Sequence, residues 1–407
     1  MLTIKVYKKV LLYKRYFIGF IILAVLLSVL SSKLWAQQTI LSYKAQVSLL
    51  TVSPGDESYT LFGHSALRIY DPALGIDRTY NYGTFDFDTQ GFYWKFALEN
   101  LQYFLSVNQF ENAKNAYLDN RRIITEQRLN LTANQIQRLY DYLQNNAKPE
   151  NRYYSYEFFY DNCTTRIYDA IKSVTGDSIQ FHEPLNPAKM SFRQFINPYL
   201  EPVPWVKFGI NLLLGATADH SPSGPATLFL PDLLKEGFTE ARIQRADTSF
   251  SLVAGQTFYA PQKWAVISPT NISPVFSFWF LLVGTVILSF IYGEKRTLWL
   301  WHDRILFGST GLIGLLILFL WIFSSYPSTN WNWNILWSAP ALPAFILSLA
   351  NNKNVAGSSK TFWIIYTAII FIFMLSWLII PQQLPNAILP LLLLLGYRNI
   401  RKTIRII

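Results

Sequence analysis

Apolar and polar positions divide this chain into three regimes. Near the start, Tyr16 to Leu30 is an uncharged apolar run, preceded by Lys5, Lys8, Lys9, Lys14 and Arg15. From residue 37 to 268 apolar residues recur at strand and helix periods. Beyond residue 269 uncharged apolar runs return at 275–292, 305–323, 335–350, 361–380 and 386–397. The first four are about as long as a hydrocarbon core demands. The fifth is short and contains Pro390.

Within the middle regime, Ile40 to Val52 reads as a strand and Ser53-Pro54-Gly55-Asp56 as a turn. Leu61 to Tyr70 reads as a second strand, Asp71 to Gly75 as a turn and Asp77 to Thr84 as a third strand. A hairpin centred near Ala73 brings Asn81 to Gly83 beside His64. Phe92 to Phe104 is aromatic with a helical period. Thr132 opens a helix over 133–144, with Ile136, Leu139, Tyr140 and Leu143 on one face. Asp161 and Asn162 are capping residues for a helix from Cys163 to Val174, whose apolar face is Ile167, Ala170, Ile171 and Val174. From Glu183 to Phe258 the pattern weakens, broken up by Pro184, Pro187, Pro198, Pro202 and Pro204. Val206 to Leu214 and a helix starting at Leu230 stand out there. A roof over a site and a surface against a bilayer both remain open for this stretch. The fold class expected is α+β for the middle part, followed by an α-helical transmembrane bundle.

The charge follows the same division. The net charge of +10 splits into +6 over residues 1–36, −3 over 37–268 and +7 over 269–407. Positive charge therefore flanks the apolar runs, and the mildly acidic middle part shows no basic patch for nucleic acid. Residues 1–36 have the n-, h- and c-regions of an export signal, either cut after Ala36 or kept as an anchor. Both alternatives put residues 37–268 outside the cytoplasm and leave 269–407 as a membrane domain. Lys295, Arg296 and Arg304, then Lys353 and Lys360, then Arg398, Arg401, Lys402 and Arg405 all fall on the cytoplasmic side if the chain crosses five times. The outer loop Thr329 to Trp337 carries Trp331, Trp333 and Trp337 between asparagines. It reads as an interfacial aromatic belt, and its asparagines are candidates to hold a lipid headgroup or a substrate chain.

Chemistry concentrates on Cys163, the chain's one cysteine. A thiol in a first helical turn sits at the positive end of the macrodipole, which favours the reactive thiolate. A thiol nucleophile needs a base and a group that orients the base. Of four histidines, His302 falls on the cytoplasmic side, and His182 and His220 sit in irregular sequence. His64 is the base this leaves. Asn81 is the orienting residue from hairpin geometry, with Asp86 second, and the Cys163 N–H is an oxyanion donor. The scattered histidines and lone cysteine lack zinc-site spacing, so no metal or cofactor is expected.

Gly63-His64-Ser65-Ala66-Leu67-Arg68, Tyr80-Asn81-Tyr82-Gly83-Thr84-Phe85 and Tyr160-Asp161-Asn162-Cys163-Thr164-Thr165-Arg166 resemble the motifs of exported thiol enzymes with an NlpC-type, circularly permuted papain-like fold. His precedes Cys in that permutation, as here. The chain is most similar to bacterial lipoprotein N-acyltransferases that join such a domain to a C-terminal membrane bundle. The resemblance covers about 40–270 and the Asn/Trp loop. It implies that Cys163 and His64 are catalytic, with Asn81 as third member. It also implies acyl transfer from a membrane phospholipid, through a Cys163 thioester, to the α-amine of a diacylglyceryl-cysteine lipoprotein. The enzyme would sit in the inner membrane and face the periplasm. Arg166 becomes a candidate phosphate contact, beside Trp331 and Trp333 at the membrane surface. A cell-wall amidase or endopeptidase using the same pair, and a non-catalytic envelope scaffold, are the alternatives.

Overall fold

The computed structural model describes residues 16–21, 39–97, 101–181, 188–262, 272–293, 296–324, 327–342 and 356–406. The chain forms two units, Met1–Tyr43 and Lys44–Ile407. In the first, residues 16–21 are helical. Most of the expected export signal lies outside the described residues.

The second unit opens with an antiparallel sheet of seven strands in the order β10-β5-β1-β2-β3-β4-β6. These are β1 (Gln46–Val52), β2 (His64–Asp71), β3 (Ile76–Thr84), β4 (Gln102–Gln109), β5 (Ile124–Leu129), β6 (Tyr153–Ser155) and β10 (Val253–Tyr259). A second antiparallel sheet joins β7 (Ile179–Gln180), β8 (Arg242–Arg245) and β9 (Thr248–Ser251). In β2, Leu67 lies opposite Tyr80 and Asp71 opposite Ile76. The hairpin is thus centred between residues 73 and 74, as its turn residues predict. The aromatic stretch 92–104 is not one helix. Helix α1 spans Phe92–Ala97, and β4 begins at Gln102. Its alternating Tyr103 and Leu105 are buried between β3 and β6. Helix α2 (Phe110–Asp119) follows β4.

Two helices carry the caps the sequence announces. In α3 (Ala133–Asn146) Thr132 and Gln135 form a capping box. In α4 (Cys163–Thr175) Asn162 and Thr165 do the same, and the Asn162 oxygen accepts the N–H groups of Thr164 and Thr165. Such caps contribute about 1 kcal/mol each. The apolar face of α4 is fully buried at Ile167, Ala170 and Ile171. The proline-broken region forms α5 (Phe192–Leu200), α6 (Pro204–Leu213) and α7 (Pro231–Glu240).

The C-terminal part is helical and apolar. Helices α8 (Pro274–Tyr292) and α9 (Arg296–Phe323) are long and apolar enough to cross a bilayer. The run expected from Ile335 starts differently. Helix α10 covers only Asn334–Ser338 and ends where Ala339 takes φ +39 before Pro340. A residue preceding proline is driven out of the helical region, which is the local cause. Trp337 O, left without a helical donor, accepts the Tyr366 hydroxyl at 2.7 Å, as a buried carbonyl requires. The remainder of that run, from 343, lies outside the described residues. Helix α11 spans Ala356–Leu375. The short fifth run belongs to a longer helix, α12 (Ile388–Ile406). Its buried Arg398 pairs with Asp303 at 2.9 Å and lies over the Trp299 ring. That pairing lets a helix with a basic end pack against its neighbours.

The two parts meet through α6 and the loop 327–334. Leu212 of α6 is buried in one cluster with Trp337, Trp363 and Leu392. Asn332 donates to the carbonyls of Leu212 and Leu213, and Asn334 to that of Leu212. Both asparagines are almost fully buried. They serve the unpaired carbonyls at the end of α6, and so are taken up in holding the two parts together. The stretch from 188 thus forms the join between sheet domain and membrane helices.

Candidate active site

The site forms where β2 begins and α4 begins. Gly63 has φ +79, and a Cβ there would lie 2.7 Å from the Val52 carbonyl oxygen. Only glycine lets the chain turn tightly into β2 and present His64 at its first position. Across the hairpin Gly83 has φ +85, and a Cβ on it would stand 3.8 Å from the Cys163 Cβ. The two hairpin strands thus close around the head of α4.

Backbone N–H groups of Ser65, Cys163 and Thr164 are directed at the Cys163 sulfur. The Ser65 contact ties the sulfur to the residue next to His64. Asn81 hydrogen-bonds the His64 side chain, and its Oδ1 also accepts the Tyr117 hydroxyl at 3.2 Å. Cys163, His64 and Asn81 are therefore brought into one cluster, and Tyr117 of α2 joins them. Asp86 is exposed, and its carboxylate accepts the Asp88 N–H. It faces a separate depression with Lys95 and Arg152.

The electrostatics differ from the helix-dipole expectation. Burial pushes the Cys163 thiol up to about 11, while the three N–H groups and Arg122 pull it the other way. Desolvation outweighs the dipole because Cys163 is almost fully buried. His64 keeps some open surface yet lies deep among protein atoms. Burial first, then the Arg122 cation, lower it to about 4, against the Asn81 hydrogen bond. At neutral pH the pair is thus a thiol beside a neutral imidazole.

Cys163 and His64 both line a cavity of about 630 Å³. That is within the usual range for small-molecule and lipid sites. Its walls are mainly aromatic and aliphatic, including Tyr82, Phe158, Phe229 and Leu230. Ile196 of α5, Ile210 and Leu213 of α6, and Ser328 and Thr329 of the membrane-side loop complete it. Arg166 is not on this wall. It forms a bidentate pair with Asp161 at 2.6 and 2.7 Å and covers the Tyr154 ring. Trp331 and Trp333 are not on it either. Trp331 is largely exposed and packs against Trp321. The charged residue that does line the cavity is Arg122, which sequence reasoning missed because no motif surrounds it.

Fold and cavity define a class: a membrane protein with a folded α+β domain beside its helices, carrying a thiol and an imidazole on one apolar wall. Comparison with protein families bears on the two-part organisation alone. Residues 31–197 match the Lnb N-terminal periplasmic domain, and residues 266–407 match the Lnb transmembrane domain. The chain belongs to the Lnb family and is a lipoprotein N-acyltransferase-like protein with periplasmic and membrane parts. No curated protein and no solved structure matches it.

Proposed function

We propose that this protein moves a fatty acyl chain from a membrane phospholipid to the α-amine of a diacylglyceryl-cysteine lipoprotein, through a thioester on Cys163. The observation that carries the reading is the apolar cavity, which holds Cys163 and His64 on one wall and residues of the membrane-side loop on another. The catalytic part would face the periplasm from the inner membrane, where both lipids are held. An antiparallel sheet with His64 on a strand, followed in sequence by Cys163 at the head of a packed helix, also suits a permuted papain-like domain. The peptidoglycan-cutting alternative is less suited, because a peptide would find few polar partners along this wall.

In the first half-reaction His64 takes the thiol proton as sulfur attacks the ester carbonyl. The carbonyl oxygen gains negative charge beside the Cys163 N–H. Collapse breaks the ester C–O bond, and His64 returns the proton to the leaving glycerol oxygen, giving lysophospholipid. In the second half-reaction the lipoprotein amine attacks the thioester. Its proton passes by way of His64 to the departing sulfur, leaving an amide and free Cys163. Asn81, by accepting a ring N–H, would keep the other ring nitrogen free for the thiol.

Incubating the whole protein with phospholipid and no acceptor tests this. Intact-mass spectrometry should show one added acyl chain, discharged when a diacylated lipopeptide is supplied. Finding no adduct, but cleavage of muropeptides, would replace the reading.

The protonation states give a second expectation. The base works as neutral imidazole, so a depressed value extends activity toward acid. Thioester formation should stay level from neutral pH down to about 5 and fall as His64 protonates near 4. An acid limb centred near 6.5, the ordinary histidine value, would show that His64 is not the buried base described.

A further inference from the structure

Among the described residues, Arg122 is the one of formal charge on the cavity wall. It is only 6% exposed. Its Nε donates to the Ser53 carbonyl at 2.7 Å, and its Nη2 has no hydrogen-bond partner. Its electrostatic neighbours include Tyr117, Tyr59, Cys163 and His64, none of them a carboxylate, and its guanidinium lies 5.5 Å from the centre of the Tyr117 ring. A guanidinium buried without an anion is costly, and its planar fork matches phosphate oxygens. The rest of the wall is mainly aromatic and aliphatic, with a few hydroxyl and amide groups and no carboxylate, so the missing anion should arrive attached to a hydrocarbon chain. Arg122 is also within electrostatic reach of the Cys163 sulfur. A phosphate at Arg122 and an ester carbonyl at that sulfur would share one cavity.

We propose that Arg122 binds the phosphodiester of the glycerophospholipid acyl donor and so selects phospholipid over neutral lipid. This rests on the acyl-transfer reading of the same cavity. It assigns to Arg122 the contact that the sequence suggested for Arg166, which Asp161 already occupies.

The test compares two donors with the same acyl chains, phosphatidylethanolamine and diacylglycerol, presented to the full-length protein in vesicles. The rate of acyl-enzyme formation should favour the phospholipid by about 10- to 100-fold, as one charge-assisted contact gives. Arg122→Gln should erase that preference mainly by slowing the phospholipid, and Arg122→Lys should retain part of it. Equal use of both donors by the wild type overturns the proposal. So does an Arg122→Gln variant that slows both donors by the same factor. A binding measurement separates this inference from the chemistry. A diether phosphatidylethanolamine, which cannot be cleaved, should raise the melting temperature of the wild type and not of Arg122→Gln. If that shift appears without any acyl-enzyme, the acyl-transfer reading fails while the anion site stands. The same shift produced by inorganic phosphate alone would overturn the assignment to a lipid headgroup.

Discussion

Cys163→Ala is expected to abolish acyl transfer, by roughly 10⁴-fold or more, as removal of a nucleophile does in other covalent enzymes. The fold should survive. The helix cap belongs to Asn162, whose Oδ1 accepts from Thr164 and Thr165 at 2.7 and 3.1 Å. The substitution leaves those contacts in place. The sulfur itself contributes a small buried surface, so the stability change should be about 1 kcal/mol. His64→Ala should be nearly as damaging, and the double variant little worse than either, because the two act as one unit. The measurements are intact mass after exposure to phospholipid and thermal melting in the same detergent. Residual transfer at more than a few per cent in Cys163→Ala, with normal melting, would mean the acyl chain never rides on this residue. The reaction would then have to be sought elsewhere on the wall.

Gly215→Ala should damage the protein from a place with no chemistry at all. Gly215 has an ordinary extended backbone, so backbone conformation is not the constraint. The constraint is space. A Cβ there would lie 1.8 Å from the Asn330 carbonyl oxygen and 2.7 Å from its carbon. Both are backbone atoms, so no flexible side chain can yield. The neighbouring ties are backbone too. Gly215 N–H donates to Ser328 O at 2.8 Å, and Ala216 N–H to Trp331 O at 3.2 Å. Relieving the clash must part α6 from the loop 327–331. Overpacking of this kind costs roughly 1–3 kcal/mol, and more where backbone must move. Leu214, Ser328 and Thr329 line the cavity at this seam, so transfer should fall at least tenfold alongside the melting temperature. A Gly215→Ala protein that melts and transfers like the wild type would show that the seam opens freely. It would then have no part in shaping the cavity.

The seam also explains why the tryptophan loop reads differently in sequence and in space. Alternating Asn and Trp at an outer membrane surface suggests lipid contact. In the structure the asparagines turn inward to the carbonyls of α6, and Gln382 joins them by donating to Leu214 O. Nothing local marks those partners, which stand more than a hundred residues away. Arg193 is a parallel case. It pairs with Asp219 and donates to the carbonyls of Leu214 and Gly215, yet its sequence neighbourhood looks like an ordinary surface helix.

What the sequence determined by itself was whatever depends on neighbours along the chain. Capping residues and apolar periods announced α3 and α4, and the turn Asp71 to Gly75 centred the β2–β3 hairpin. Charge asymmetry separated the folded domain from the apolar helices. One cysteine and four histidines left few pairs to consider, so Cys163, His64 and Asn81 could be named as candidates, and the fold brings the three into one cluster. Tertiary structure decided the rest. It split the aromatic stretch 92–104 between a helix and a strand, because only a partner strand gives alternation a buried side. It set the thiol and imidazole neutral, because desolvation is a property of the surroundings and not of the helix turn. It placed Arg122 rather than Arg166 on the cavity wall, because packing across the sheet determines which cation is left without a carboxylate.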